Sequence, residues 1–207
     1  MLIPFQQVKE YLDKCQIPIK GVLHIGAHLC EELTDYQAQG LTANDIDWVE
    51  ANPELVSTMK QRGTHVHQAA VSDVEAVLDF HITNNGQSSS LLAFGTHATS
   101  YPGIHVVKTI RVQTQTLKSL IKSQNIPMER RNFWNLDIQG SELCALKSAE
   151  EFIQYADAIY LEVNTQEVYK ECATLPELDA FLTSKGFVQV QIAMTGYGWG
   201  DALYVRK

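Results

Sequence analysis

The sequence lacks paired cysteines and long apolar runs. Its 207 residues include only four cysteines, and no two of them stand in a C-x-x-C pair. This spacing gives no sign of a disulfide framework, so free thiols are expected at all four positions. No segment reaches the roughly 18 consecutive apolar residues that a membrane-spanning helix needs. The sequence therefore indicates neither a disulfide-stapled domain nor a membrane span.

Positive charge is also scarce. The chain has 16 Lys and Arg against 24 Asp and Glu, a net charge of −8. So acidic a surface repels phosphate backbones and anionic lipid heads, which argues against nucleic-acid and membrane-surface partners. The opening stretch MLIPFQQVKEYLDKCQ carries Gln, Lys, Glu and Asp where a signal peptide is apolar, and this favours a cytoplasmic location. Composition leaves the oligomeric state open between a monomer and a homodimer.

Short apolar runs rich in β-branched residues alternate with longer amphipathic runs. This alternation predicts an α/β fold with a mostly parallel sheet and crossover helices. We expect one domain over residues 1–207, with an N-terminal helix within residues 1–20 and an edge-strand and loop insertion at 77–115. The predicted strands cover residues 21–25, 46–50, 65–71, 133–137 and 158–163, the hairpin 187–192 and 202–205, and edge runs at 77–82 and 106–114.

The turn after the first predicted strand reads Gly26-Ala27-His28. Glycine there lets a ligand approach the backbone, and the helix predicted to run from this turn to Gly40 offers its N–H groups. The turn lacks the G-x-G-x-x-G pattern that a pyrophosphate favours, which shifts weight away from NAD. A nucleoside cofactor without a diphosphate is therefore favoured.

The ends of the next two strands carry further candidate ligand groups. Glu50 closes the second strand, 24 residues beyond Gly26, and a carboxylate there can accept both hydroxyls of a ribose. This holds for NAD and S-adenosylmethionine alike. Residues 70–73, Ala-Val-Ser-Asp, follow the third strand and offer an apolar wall and a polar group for an adenine. Each residue alone could instead be a turn or capping residue.

The segment after the fourth central strand is the most specific in the chain. It reads LDIQGSELCAL from Leu136, and the first turn reads HIGAHLC from His24. The chain resembles the FkbM-type methyltransferase family, which pairs I-D-x-E-G-x-E-x-x-[LV] with D-[IV]-G-A-N-x-G at these places. The supporting stretches are VEANPE (49–54), QAAVSD (68–73), SSSLL (88–92) and TQTLKSLI (114–121), and the resemblance runs from about residue 20 to the end.

The chain departs from that pattern at four positions. His24 stands where the family has the turn acid, His28 where it has Asn, and Cys30 where it has the second turn Gly. Gln139 replaces the second acid of the strand-4 segment. These departures leave the implied fold intact, a Rossmann-like class I methyltransferase with a seven-stranded sheet, helices on both faces and an antiparallel C-terminal hairpin. They bear on the acid and base assignment.

The resemblance implies S-adenosylmethionine as cofactor and methyl transfer to a hydroxyl of a sugar or another natural product. Asp137 is the first candidate for the base, Glu162 the second, and His28 a third. The residues expected to bind the cofactor are His24, Gly26, Ala27, Glu50, Ala51, Ala70, Val71, Ser72, Ser89, Ser90 and Asp137. Those expected to bind a saccharide or other small hydroxylated acceptor are Gln139, Asn164, Tyr169, Trp199 and Asp201.

Three alternatives stay open at this point. A divalent metal bridged by Asp137 and Glu162 is one, although the chain has no compact cluster with metal-ligand spacing. A Rossmann oxidoreductase or sugar-nucleotide enzyme is another, and a cofactor-binding protein without methyl transfer is the third. Residues 84–104, rich in Gly, Ser and Asn, are predicted to form a mobile lid or substrate wall. Trp199 is expected on a turn, either as a sugar platform or as a hydrophobic plug.

Overall fold

A computed structural model describes all residues, 1–207, of the chain. The strands are β1 (Val22–Ile25), β2 (Ile46–Glu50), β3 (Val66–Gln68), β4 (Ala70–Val71), β5 (Val77–Thr83), β6 (Val106–Gln115), β7 (Phe133–Leu136), β8 (Ala158–Asn164), β9 (Phe187–Met194) and β10 (Trp199–Arg206). The helices are α1 (Phe5–Lys14), α2 (Leu33–Ala38), α3 (Pro53–Gln61), α4 (His97–Ser100), α5 (Leu117–Gln124), α6 (Glu142–Ser148) and α7 (Leu175–Ser184). Short 3₁₀ helices cover Ala43–Asp45, Met128–Arg130 and Glu150–Tyr155.

The main sheet has seven strands in the order β3-β2-β1-β7-β8-β10-β9. Its first five strands are parallel, while β10 pairs antiparallel with both β8 and β9. The predicted α/β fold, with a mostly parallel seven-stranded sheet and an antiparallel C-terminal hairpin, is confirmed. A second, three-stranded sheet has the order β4-β6-β5 and carries the inserted segment.

Two apolar cores enclose the main sheet. Helices α5, α6 and α7 pack on one face through side chains such as Leu120, Leu146 and Leu182. Helices α1 to α3 pack on the other face, where Leu12 and Val56 are buried. Alternate residues of each strand point to opposite faces, so the buried strand β1 serves both cores, with Leu23 in one and Val22 in the other. This double packing fixes the strand ends that form the site.

The structure corrects three details of the sequence-based assignment. The helix expected directly after the first turn begins only at Leu33, because His28 and Cys30 have left-handed backbones with φ of 45° and 55°. The single strand expected at 65–71 divides into β3, in the main sheet, and β4, which pairs with β6. Trp199 lies at the start of β10 rather than on a turn, opposite Asn164 of β8.

Candidate active site

A cavity of about 470 Å³ opens at the carboxyl ends of β1, β2, β7 and β8. Ligand sites in open α/β sheets lie at this edge because parallel strands bring their ends together there. Every predicted site residue except Ser72, Ser90 and Asn164 lines the cavity. The structure therefore gathers residues from four separate strand ends, and from the inserted segment, around one space.

The backbone conformation of the turn after β1 is fixed by close contacts. Gly26 has a φ of +92°, and a side chain there would collide with the carbonyl oxygen of Asp137. The backbone N–H groups of Gly26 and Ala27 both donate to the Val49 carbonyl at 2.9 Å. Because glycine alone accepts this φ and this close approach without strain, the turn requires Gly26. The turn holds β1 and β7 together beneath the cavity.

Glu50 sits at the end of β2 and is only 7% exposed. Its two oxygens accept backbone N–H groups from His28 at 2.8 Å and Asn52 at 2.7 Å. Burial raises the pKa of Glu50, although those N–H donors act in the opposite direction. Each carboxylate oxygen has a second lone pair, so Glu50 can still accept hydrogen bonds from a ligand.

Two histidines flank the turn with different electrostatics. His24 is buried, which lowers its pKa to about 3, and its Nδ1 lies 3.1 Å from the Tyr36 hydroxyl. Burial acts to lower the pKa of His28 as well, but the hydrogen bond and negative charge of Glu31 raise it above its ordinary value. The Nδ1 atom of His28 lies 2.6 Å from Glu31. His24 is therefore neutral, and His28 is committed to an ion pair.

Gln139 joins the two carboxylates predicted to carry the chemistry. Its Nε2 donates to Asp137 Oδ1 at 2.5 Å and to Glu162 Oε2 at 2.8 Å. The Tyr169 hydroxyl donates to Oε1 of the same amide. Gln139 has a φ of 56°, a left-handed conformation that turns its side chain into this network. The amide nitrogen thus lies between the two carboxylates.

Both bridged carboxyls hold their protons more tightly than in water. Burial, followed by the negative charge of Asp201, raises the pKa of Asp137 to about 6. Burial and the charges of Asp137, Glu142 and Asp201 raise the pKa of Glu162 well above its usual value. Asp137 keeps accessible surface although protein surrounds it, because it lines the cavity. It is therefore enclosed by the fold yet open to a ligand.

Glu142, the first residue of α6, supports this arrangement from behind. It is 2% exposed and accepts the backbone N–H groups of Ile138 at 2.9 Å and Gly140 at 3.0 Å. Burial raises its pKa to about 7, against the effect of those donors. The sequence analysis placed Glu142 in a motif but gave it no role. Its role is to hold the turn that presents Asp137 and Gln139.

Four aromatic side chains in mutual contact line the cavity and are called the aromatic wall: His97, Tyr101, Tyr169 and Trp199. Trp199 is half-buried, and its Nε1 donates to the Tyr101 hydroxyl at 2.8 Å. The His97 ring stacks on Phe94 with centroids 4.2 Å apart. Tyr169 and Trp199 were predicted as substrate residues, His97 was noted only as a histidine beside the polar loop that could meet substrate, and Tyr101 was not predicted. The signal for His97 and Tyr101 was their position in the polar segment 84–104.

Residues 84–104 lie over the cavity and are held there by hydrogen bonds. The Gly95 N–H donates to the Val168 carbonyl and the Thr96 N–H to the Glu167 carbonyl, both at 2.9 Å. Ser90 Oγ donates to the Gln139 carbonyl at 2.8 Å, which turns it away from the cavity that Ser89 lines. The segment thus forms a wall of the cavity, and its mobility stays a prediction.

The other two predicted residues outside the lining are buried nearby. Ser72 packs at the end of β4, with its hydroxyl 3.4 Å from Asp73. Asn164 is fully buried at the end of β8, and neither its amide nitrogen nor its amide oxygen has a hydrogen-bond partner. No group of three or more His, Cys, Asp or Glu side chains has the geometry to hold a metal ion. No helix is both long enough and apolar enough to cross a membrane.

Comparison with known proteins identifies the family. The family model of the methyltransferase FkbM domain matches residues 24–188. The chain belongs to the FkbM methyltransferase family. The family prediction is confirmed. The matched range contains both turns of the site as well as Glu50 and Glu162.

Two solved structures are similar to the chain at low sequence identity. Magnesium protoporphyrin IX methyltransferase (ChlM) from Synechocystis PCC 6803, solved with bound SAM, is 11% identical, with a TM-score of 0.48 over 98% of this chain and 77% of that chain. LepI in complex with SAM is 8% identical, with a TM-score of 0.40 over 92% of this chain and 44% of that one. No curated protein matches this chain.

Proposed function

We propose that this FkbM methyltransferase transfers the methyl group of S-adenosylmethionine to a hydroxyl of a saccharide or similarly sized acceptor. One observation carries the proposal: a single cavity joins the Gly26 turn and Glu50 to Glu162 and Trp199, and Asp137 lies between the two ends. A group-transfer enzyme needs two ligands side by side with a proton acceptor near their junction. The cavity offers that arrangement.

The cofactor end has the chemistry that an adenosine needs. Glu50 provides carboxylate oxygens for ribose hydroxyls, and Ala70, Val71 and Phe80 provide an apolar wall for the adenine. Gly26 and Ala27 of the first turn line the cavity beside them. S-Adenosylmethionine, when bound, supplies an electrophilic methyl group on a sulfonium. The carboxylate of Asp137 suits the positive charge of such a ligand.

Asp137 is proposed as the base. An alcohol loses its proton as its oxygen gains the methyl group, and a carboxylate within hydrogen-bond reach accepts that proton. The raised pKa of Asp137, about 6, makes it a stronger base than an ordinary aspartate while leaving it mostly ionised at neutral pH. Gln139 holds Asp137 Oδ1, so Oδ2 is left to meet the acceptor. His28 is the weaker candidate because Glu31 engages its ring.

The acceptor end supports a saccharide. Trp199 and Tyr169 line the cavity with aromatic faces, which pack against the C–H face of a pyranose, while Glu162 and Asp201 accept hydrogen bonds from its hydroxyls. Asp201 already accepts from the Tyr160 hydroxyl and from the Leu2 N–H, so it is fixed in place. Asn164, buried at the end of β8 and paired with Trp199 of β10, is a further polar residue next to the acceptor end.

Two measurements test the proposal. Glu50→Gln is expected to weaken S-adenosylhomocysteine binding about tenfold, because charge-assisted hydrogen bonds are worth roughly 1.5–3 kcal/mol. Transfer of a labelled methyl group to a panel of saccharides should fall at least a hundredfold in Asp137→Asn, as expected for loss of a general base. Asp79→Asn, an exposed aspartate on β5, is the matched control.

Each result has a clear contrary outcome. Unchanged S-adenosylhomocysteine affinity in Glu50→Gln removes Glu50 from the cofactor site. Full activity in Asp137→Asn would show that another group accepts the proton of the acceptor hydroxyl. Cofactor binding without transfer to any hydroxylated acceptor would favour a binding protein that shares the fold.

A further inference from the structure

Carboxylates line the whole cavity, and no lysine or arginine side chain joins them. Glu31, Glu32 and Glu50 lie around the cofactor end, on the segments that follow β1 and β2. Asp137 and Glu162, with Asp201 of β10, line the middle and the acceptor end. The positive groups in the lining are the Met1 α-ammonium, 3.9 Å from Glu32, and His28, which pairs with Glu31. An anionic acceptor at the acceptor end would meet the carboxylates of Glu162 and Asp201, whereas a cationic acceptor would meet counter-charges there.

One carboxylate oxygen of Glu162 is free to bind a ligand at the acceptor end. It is 6% exposed, and the Gln139 amide donates to Oε2, which leaves Oε1 for a ligand. Its one side-chain partner is the neutral Gln139 amide, so no cationic side chain neutralises its ionised form. Burial and the nearby charges of Asp137, Glu142 and Asp201 also raise its pKa. A ligand cation within hydrogen-bond distance would supply a counter-charge.

The aromatic wall provides a second, independent sign of a ligand. His97 is 5% exposed and lines the cavity, and its Nδ1 is buried without a hydrogen-bond partner. Burial lowers the pKa of His97, so its ring is neutral and can accept an N–H or O–H hydrogen bond. The rings of Tyr101 and Tyr169 lie beside it, with centroids 5.1 Å and 5.5 Å from that of His97, and Trp199 donates to the Tyr101 hydroxyl. The faces of such aromatic rings attract cations.

We propose that the acceptor carries a protonated amine next to the hydroxyl that is methylated, with the ammonium held between Glu162 and the aromatic wall. This inference rests on the proposed function and narrows its substrate class to amino sugars and similar ammonium-bearing alcohols. The carboxylates keep the amine protonated, and a protonated amine has no lone pair to attack a methyl group. The arrangement therefore directs methylation to oxygen.

A matched set of three sugars tests the charge preference directly. Methyl glucosaminide, methyl glucoside and methyl glucuronide share a pyranose ring and are cationic, neutral and anionic. Their affinities are measured by calorimetry with S-adenosylhomocysteine at saturation, so that the cofactor end is filled. The glucosaminide is expected to bind at least about tenfold more tightly than the glucoside, about 1.4 kcal/mol, with the glucuronide weakest.

Two glutamate variants with the same change in net charge test whether the preference for the cationic sugar depends on Glu162. Glu162→Gln keeps an oxygen for the Gln139 amide and is expected to abolish the preference for the glucosaminide while S-adenosylhomocysteine still binds. Glu129→Gln removes an exposed carboxylate before β7, at the opposite end of the strand, and should keep the preference. The comparison of the three sugars on the unmodified protein stands even where Glu162→Gln does not fold.

The contrary outcomes are distinct. Equal binding of the three sugars, tighter binding of the glucuronide, or no binding of the glucosaminide overturns the inference while leaving the proposed function in place. A preference that survives in Glu162→Gln also overturns it, because the ammonium then lies elsewhere. Failure to bind S-adenosylhomocysteine overturns the proposed function and this inference with it.

Discussion

The Gln139 bridge makes a strong prediction about protein stability. Gln139→Glu replaces an amide that donates to Asp137 and Glu162 by a group that carries no N–H donor. Three carboxyl groups would then meet at hydrogen-bond distance. Like charges so close cannot all ionise, so the new Glu must take up a proton or drive its neighbours to do so.

The size of the effect follows from the two lost hydrogen bonds. A hydrogen bond to a charged group is worth roughly 1.5–3 kcal/mol, and a protonated Glu restores only one of the two. The free energy of unfolding should therefore fall by about 1.5–3 kcal/mol. For a chain of this size, roughly 2–4 °C per kcal/mol gives a drop in Tm of about 3–12 °C.

Thermal unfolding measured at pH 5 and pH 8 checks this reasoning. The folded variant holds an extra proton that the unfolded chain releases above about pH 4.3. Its loss of stability relative to the unmodified protein therefore grows as pH rises. Gln7→Glu makes the same chemical change at an exposed position of α1 and should leave Tm nearly unchanged. Equal Tm values for Gln139→Glu and the unmodified protein at both pH values would refute the role given to Gln139.

Three further predictions concern other parts of the fold. Glu142 has its pKa raised to about 7 from an ordinary 4.5, so stability should fall by on the order of 3 kcal/mol as pH rises between these values, and Glu142→Gln should flatten that slope in denaturant titrations. Asp47→Asn removes the counter-charge of the buried Arg131, whose Nε lies 2.5 Å from Asp47, and should lower the free energy of unfolding by about 3–5 kcal/mol. S-Adenosylhomocysteine affinity, measured by calorimetry, should be unchanged in this variant. Hydrogen exchange of residues 84–104 should slow when S-adenosylhomocysteine and an acceptor are added, and full protection without ligands would mark a fixed wall.

The sequence predicted those parts of the site that depend on strand ends. Gly26, Glu50 and Asp137 each follow a buried parallel strand, and the topology of such a sheet brings these ends together whatever the loops do. Their places in the cavity followed from periodicity and from the family motif. The sequence pattern also located the antiparallel hairpin, although β10 begins at Trp199 and so includes Asp201, which lies just before the predicted strand 202–205.

Features that depend on contacts between loops could not be predicted in this way. The bridging role of Gln139 requires its left-handed backbone and a hydroxyl from Tyr169, 30 residues away. His97 enters the cavity because backbone hydrogen bonds tie its segment to residues 167 and 168. Ser90 was expected at the cofactor but instead donates to a carbonyl, since its position depends on the same docking. No local pattern encodes such contacts.

The construction of the cavity bears on how this protein could diverge. Its cofactor end comes from the strand ends and turns of the first seventy or so residues, whereas its acceptor end comes from the inserted segment 84–104 and from β8 and β10. The insertion is carried by a separate small sheet and does not contribute strands to the main one. Mutation of residues 91–104, beyond the serines expected at the cofactor, can therefore explore new acceptors while cofactor affinity is kept, and chimaeras that exchange residues 91–104 between relatives should inherit the acceptor range of the donor segment.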